Sequence, residues 1–142
     1  MEYISKSEKE TVAIAEKIAS KCLPGNVYAL FGELGSGKTT FTKGFAKKMG
    51  IKEEITSPTF VIMKQYKIMR TDKNIDLLSH IDCYRFSNAD DAESVGLSEI
   101  FSKISAVSII EWPEKIGSLL PNHAIKIKFK YLDENTRKIT IN

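Results

Sequence analysis

The sequence predicts a three-layer α/β domain in which helices flank a central, mostly parallel sheet with antiparallel additions. Three observations predict it. Short apolar runs alternate with segments of helical periodicity. One of these runs passes through a glycine-rich turn straight into an amphipathic helix. The last two runs face each other across a polar turn, as in a hairpin.

The first helix signal is Ser7-Glu8-Lys9-Glu10, the spacing of a capping box in which the Ser7 hydroxyl and Glu10 carboxylate answer each other's backbone donors. Behind it Ile14, Ala15, Ile18, Ala19 and Cys22 give the helix one apolar face, and Pro24-Gly25-Asn26 stops it. Val27–Phe31 is almost wholly apolar, as expected of a strand covered on both faces. After the glycine-rich turn comes a helix over Thr39–Met49, with Phe41, Phe45 and Met49 on one face and Gly50 to end it. Ile51–Thr59 is polar, contains Ser57-Pro58-Thr59, and reads as a loop. Phe60–Ile68 reads as a strand, and Thr71-Asp72-Lys73-Asn74 as a turn into a second strand ending near Asp82. Asp90–Lys103 is helical but interrupted at Gly96. Ala106–Ile110 is a further buried strand, and Trp112-Pro113 starts a short helix. Ala124–Tyr131 and Arg137–Ile141 form the hairpin around Asp133-Glu134-Asn135.

A single domain over residues 1–142 accommodates these elements. The net charge of +3, from 21 basic and 18 acidic residues, is too small to argue for nucleic-acid binding. Only Arg70, Arg85 and Arg137 are arginines; the rest of the positive charge is lysine, which is more often solubilising than recognitive. Cys22 and Cys83 lack a CxxC spacing and sit in apolar surroundings, so they read as small buried hydrophobes in a reducing compartment. No apolar run is long enough to span a bilayer, and Met1–Lys6 lacks the layout of a signal peptide. These features predict a cytoplasmic protein without a membrane partner.

Gly32-Glu33-Leu34-Gly35-Ser36-Gly37-Lys38-Thr39 meets every fixed position of G-x-x-x-x-G-K-[ST], between a buried strand and an amphipathic helix. Glycines let successive N–H groups converge on phosphate oxygens, and the helix behind them points its positive end the same way. Lys38 supplies a mobile charge for the β- and γ-phosphates, the Thr39 hydroxyl is a ligand for Mg²⁺, and Thr40 can reach the α-phosphate. The fold is therefore that of a P-loop NTPase. The ion also needs an acidic partner at a neighbouring strand end, and both Asp82 and Glu111 qualify, directly or through water. Guanine-reading proteins carry Asn-Lys-x-Asp. This chain has only the scrambled Lys73-Asn74-Ile75-Asp76, so ATP is the expected nucleotide.

Four segments, in this order and spacing, resemble the TsaE family over essentially the whole chain: residues 32–40, Ser57-Pro58-Thr59-Phe60, His80-Ile81-Asp82-Cys83-Tyr84-Arg85 and Glu111-Trp112-Pro113. The resemblance implies a P-loop ATPase that docks on the TsaB–TsaD pair and whose ATP hydrolysis supports threonylcarbamoylation of adenosine in tRNA, the tRNA itself being met indirectly. It assigns catalysis to Lys38, Asp82 and Glu111, and magnesium to Thr39, Asp82 and Glu111. The phosphate contacts fall to Glu33, Leu34, Gly35, Ser36, Gly37, Lys38, Thr39 and Thr40. The Ser7–Thr11 stretch, with Thr11 as the nucleotide contact, would border the adenine, and Ser57-Pro58-Thr59 would be a switch-like loop at the γ-phosphate.

Other residues have two readings. Trp112 belongs either to the core or beside the nucleotide or a partner. Tyr84 and Arg85 serve a partner surface, a phosphate or a strand-end salt bridge. His80 faces the same side as Asp82 and is either a support for that site or a structural histidine, and His123 reads as surface. No arginine finger is evident near the P-loop, so turnover without partners should be feeble. A small-molecule kinase, which needs clamping arginines, and a non-catalytic ATP sensor are the competing functions.

Overall fold

The computed structural model describes residues 1–58, 62–69 and 73–142. Thr59, which the sequence reading gives to a loop, Phe60 and Val61, given to a strand start, and Thr71 and Asp72, given to a turn, lie outside the described residues, as does Arg70. Strand β1 (Glu2–Ser5) leads into helix α1 (Glu8–Ser20). Ser7 caps α1, its hydroxyl accepting the Glu10 N–H at 3.1 Å. The Glu10 carboxylate reaches one residue further back than expected, to the Lys6 N–H at 2.7 Å. The helix ends at Ser20, before Cys22. Lys73 covers its end by donating to the Ser20 and Cys22 carbonyls.

Strand β2 (Val27–Phe31) and helix α2 (Lys38–Lys48) follow as the apolar run and the helical spacing predict. The α2 cap is Gly37, in the left-handed region at φ 105°. Strands β3 (Met63–Lys67) and β4 (Leu77–Asp82) come next, then α3 (Ala89–Ser94) and α4 (Leu97–Ser102), divided at Gly96 with φ 80°. Strand β5 (Ala106–Glu111) runs into two short 3-10 turns at Pro113–Lys115 and Gly117–Leu119, and β6 (Ile125–Tyr131) and β7 (Arg137–Ile141) form the hairpin.

The sheet order is β1-β7-β6-β2-β5-β4-β3. Its middle, β6-β2-β5-β4, is parallel, while β3, β7 and β1 join antiparallel. The mostly parallel sheet with antiparallel additions is thus borne out. The sequence reading assigns no strand to Glu2–Ser5. Its Tyr3 pairs with Ile139, at the far side of the chain.

Helices α1 and α2 cover one face, where Leu30, Phe41, Phe45, Leu78, Ile109 and Ile127 make the larger core. On the other face Val27, Ile81, Leu97, Phe101, Ile110 and Ile116 pack under α3, α4 and the 3-10 turns. Strands β2, β4 and β5 bury both faces, and β2 and β5 read accordingly as buried strands in the sequence. Strand β6 alternates, burying Ile127 and Phe129 and exposing Lys126, Lys128 and Lys130. Helices α1 and α2 meet at Gly44, where a Cβ would lie 2.8 Å from the Val12 carbonyl oxygen. Among the described residues, no helix is long and apolar enough to cross a membrane.

This arrangement brings the C-terminal ends of β2, β4 and β5 to one edge of the sheet. Asp82 stands directly opposite Glu111 in the register of β4 and β5, and Glu111 opposite Leu30 of β2, two residues before Gly32. An open parallel sheet binds its ligands at such an edge.

Candidate functional site

A cavity of about 760 Å³ opens at that edge. Its floor is the glycine-rich turn between β2 and α2. Gly32 (φ 155°), Gly35 (φ 76°) and Gly37 (φ 105°) hold conformations that side chains resist. At Gly32 space forbids a side chain as well, since a Cβ would fall 2.6 Å from Ser36 Oγ and 2.9 Å from the Phe129 carbonyl oxygen. Ser36 Oγ is buried and has no hydrogen-bond partner among the described residues. The turn then gives way to the N-terminus of α2, whose first N–H groups have no partner within the helix.

Lys38 is only 5% exposed. Its ammonium donates to the Gly32 carbonyl and, at 3.0 Å, to that of Glu33, and lies 4.7 Å from the centre of the Trp112 ring. Burial pulls its pKa below the usual lysine value, while Glu111, Glu114 and Asp82 pull it back up. Trp112 takes φ 56°, costly for a bulky side chain, and in that conformation its ring also packs on Tyr84 at 5.1 Å between centroids. The tryptophan therefore belongs at the cavity rather than in the deep core.

The two carboxylates are each 4% exposed. Asp82 accepts the Tyr84 N–H at 2.9 Å and the Ser57 hydroxyl at 3.2 Å, which joins the Ser57-Pro58 loop to the strand end. Glu111 Oε1 lies 2.9 Å from His80 Nε2. Thus His80 does contact a strand-end carboxylate, but Glu111 rather than its near neighbour Asp82.

Of the residues expected to surround the phosphates, Leu34, Gly35, Ser36, Gly37, Lys38, Thr39 and Thr40 line the cavity. Glu33 does not; it offers its carbonyl to Lys38. Asp82, Glu111 and Ser57 line the same space, as do Ser7, Glu8 and Thr11 from the start of α1. Thr11 is buried and its hydroxyl shares a 2.7 Å hydrogen bond with that of Ser5.

One expectation fails at Arg137. The three arginines read as scattered away from the P-loop, yet Arg137 lines the cavity and donates Nη2 to the Gly35 carbonyl at 3.2 Å. Its guanidinium stacks 4.5 Å from the Tyr131 ring, and Glu134 and Asn135 of the hairpin turn complete that wall. The hairpin is evident in the sequence, but its position over the P-loop follows from β6 pairing parallel to β2. No local motif announces that pairing.

The site suits a phosphate chain and a magnesium ion. The turn offers backbone donors in a cradle that a Cβ would fill. Thr39, Asp82 and Glu111 offer hard oxygen donors, and Mg²⁺ ordinarily takes one or two carboxylates beside phosphate and water. Among the described residues, no three His, Cys, Asp or Glu side chains cluster into a metal site that needs no other ligand.

Comparison with known proteins agrees with the motifs. The family of the threonylcarbamoyl adenosine biosynthesis protein TsaE matches residues 5–139. The tRNA threonylcarbamoyladenosine biosynthesis protein TsaE of Bacillus subtilis is 41% identical over 132 residues, covering 93% of this chain and 78% of the relative. The protein of the same name from Treponema pallidum is 35% identical over 141 residues, 99% of each chain. The crystal structure of YdiB from Bacillus subtilis superposes with a TM-score of 0.80 at 35% identity, covering 99% of this chain and 83% of that one. A match of this extent makes the chain a member of the TsaE family.

Proposed function

We propose that the chain is an Mg²⁺-dependent ATPase that docks on a TsaB–TsaD pair and uses ATP in support of threonylcarbamoylation of adenosine in tRNA. The observation that carries this reading is the meeting, in one cavity, of the glycine-rich turn, the buried Lys38 and the paired strand ends Asp82 and Glu111. The names of the relatives, all tRNA threonylcarbamoyladenosine biosynthesis proteins, support the pathway.

The turn's N–H groups and the start of α2 would bind the β- and γ-phosphates. Lys38 would exchange its bonds to the Gly32 and Glu33 carbonyls for phosphate oxygens, a stronger, charge-assisted contact. Thr39, Asp82 and Glu111 would hold Mg²⁺, and the bound ion neutralises phosphate charge. Arg137 brings a second cation to the loop, and Ser7, Glu8 and Thr11, which line the cavity, would border the adenine. Ser57, bonded to Asp82, ties the neighbouring loop to one of the two strand-end carboxylates, where occupancy of the site would be felt.

The test is ATP hydrolysis by the purified protein, alone and with TsaB and TsaD added, with Lys38→Ala as control. The expected result is feeble turnover alone, strong stimulation by the pair, and loss of both in Lys38→Ala. Rapid turnover without partners would overturn the dependence on TsaB–TsaD. Bound nucleotide with no stimulation would favour the sensor or kinase readings.

A further inference from the structure

We infer that His80 is a positioning residue for Glu111: its ring fixes one carboxylate oxygen and leaves the other for the divalent ion, so His80 sets how much Mg²⁺ strengthens nucleotide binding. The inference rests on reading the cavity as a Mg–nucleotide site.

Four observations carry it. First, the pair is built by the sheet. Asp82 is paired with Glu111 and His80 with Ile109 on adjacent parallel strands, so His80, Asp82 and Glu111 project to one face. His80 Nε2 lies 2.9 Å from Glu111 Oε1, with side-chain exposures of 0% and 5%.

Second, the direction of the hydrogen bond is fixed by the carboxylate, which can only accept. His80 Nδ1 is buried without a partner among the described residues. A proton on Nδ1 alone would set a bare Nε2 against a carboxylate oxygen. The ring proton therefore belongs on Nε2, which donates to Glu111.

Third, the ring has no other polar task. At a fully buried strand position an aliphatic side chain would avoid the cost of desolvating two ring nitrogens. Only the contact with Glu111 offsets that cost.

Fourth, the two carboxylates are held by different partners. Asp82 is held by the Tyr84 backbone and the Ser57 hydroxyl, whereas the one hydrogen bond to the Glu111 carboxylate among the described residues comes from His80. A glutamate has three rotatable bonds, and this single hydrogen bond selects the orientation in which it meets the cavity. Partners that orient a metal's ligands typically change metal affinity by about 10–100-fold when removed.

The test is titration of a fluorescent ATP analogue in EDTA and in Mg²⁺, on the wild type, His80→Leu, His80→Gln and Glu111→Gln, with folding checked by circular dichroism. In EDTA the His80 variants should bind as the wild type does. In Mg²⁺ the strengthening seen in the wild type should shrink by about 10–100-fold in His80→Leu. His80→Gln, whose amide can donate to the same oxygen, should recover part of it. In a Glu111→Gln background, His80→Leu should cost nothing further, an outcome that a merely structural histidine would not give.

The inference is overturned if His80→Leu keeps the full Mg²⁺ response, or if His80→Gln recovers none of what His80→Leu loses. It is equally overturned if affinity falls as much in EDTA as in Mg²⁺, or if the two losses add. Should His80→Leu not fold, His80→Met, which also lacks a donor for Glu111, takes its place under the same criteria. A wild type that binds no nucleotide would overturn the nucleotide reading and this inference together. A wild type that binds Mg·ATP, with variants that respond as it does, sinks the inference alone.

Discussion

Cys83 follows Asp82 at the end of β4, and its thiol is fully buried. Burial pushes its pKa up to about 12, and the charges of Asp82 and Glu114 push the same way. Cys22 is also raised by burial, against a lowering by Tyr28 and Lys73. The thiolate is the reactive form, so at pH 8 Cys83 should react with iodoacetamide on the order of a thousandfold more slowly than an ordinary thiol. Both cysteines should label readily in denaturant, and mass spectrometry of native and unfolded samples reads the difference. Rapid labelling of the native protein would contradict the packing of β4. The same shift has a sign for stability. Between pH 9 and about 12 the native Cys83 keeps a proton that the unfolded chain has lost, so the contribution is fully present below pH 9 and fades as pH rises toward 12. Cys83→Ala should flatten that alkaline loss in urea unfolding curves.

At the scale of elements, the closest fit is α1 against α2. Glycine inside a helix is unfavourable by roughly 0.5–1 kcal/mol relative to alanine, yet Gly44 sits in the middle of α2. A Cβ there would meet the Val12 carbonyl oxygen at 2.8 Å, the Val12 Cα at 2.9 Å and the Ala15 Cβ at 3.1 Å. Two of these atoms are backbone and cannot swing away. Gly44→Ala should therefore destabilise by about 1–3 kcal/mol despite its better helix propensity, and a lowered urea midpoint with an unchanged slope would report it. A midpoint that rises would mean the helices are further apart than described. Here sequence reading reaches its limit. The helical face of α2 is plain from Phe41, Phe45 and Met49, but nothing local says that Gly44 is where α1 crosses. The same holds for β1, whose four residues have no strong apolar alternation and gain their hydrogen bonds from β7. It holds for Arg137, which reaches Gly35 only because the hairpin packs beside β2. What was legible rests on chemistry confined to a few neighbouring residues: the buried runs of β2 and β5, the capping serine, the glycine-rich turn, and the carboxylates that end strands. What was hidden depends on which strand lies next to which. His80 stands between these cases, since its side of β4 follows from its spacing to Asp82, whereas its partner Glu111 follows from the register of β4 on β5.

For the whole molecule, the consequence lies in how many parts of the chain meet at one cavity. Its walls come from the start of α1, the turn before α2, the loop at Ser57, the ends of β4 and β5, and the hairpin turn before β7. Unfolding therefore destroys every contact at once, and the unfolded chain keeps no residual site. A ligand that binds only the folded state stabilises it by RT ln(1 + [L]/Kd), about 2.7 kcal/mol at a hundred times Kd. If the cavity is the Mg·ATP site, the unfolding free energy should rise by this amount at a hundred times Kd, moving the urea midpoint up by that energy divided by the slope, and should continue to rise logarithmically with concentration. Lys38→Ala should remove the rise, because the buried ammonium is the one lysine placed among the turn's carbonyls. The basal stability of that variant need not fall in parallel, since burial already disfavours the Lys38 charge in the empty protein. A stabilisation by Mg·ATP that survives Lys38→Ala would place the nucleotide elsewhere on the molecule. A wild type whose midpoint does not move at saturating Mg·ATP would mean that the folded chain has no preference for the ligand over the unfolded one.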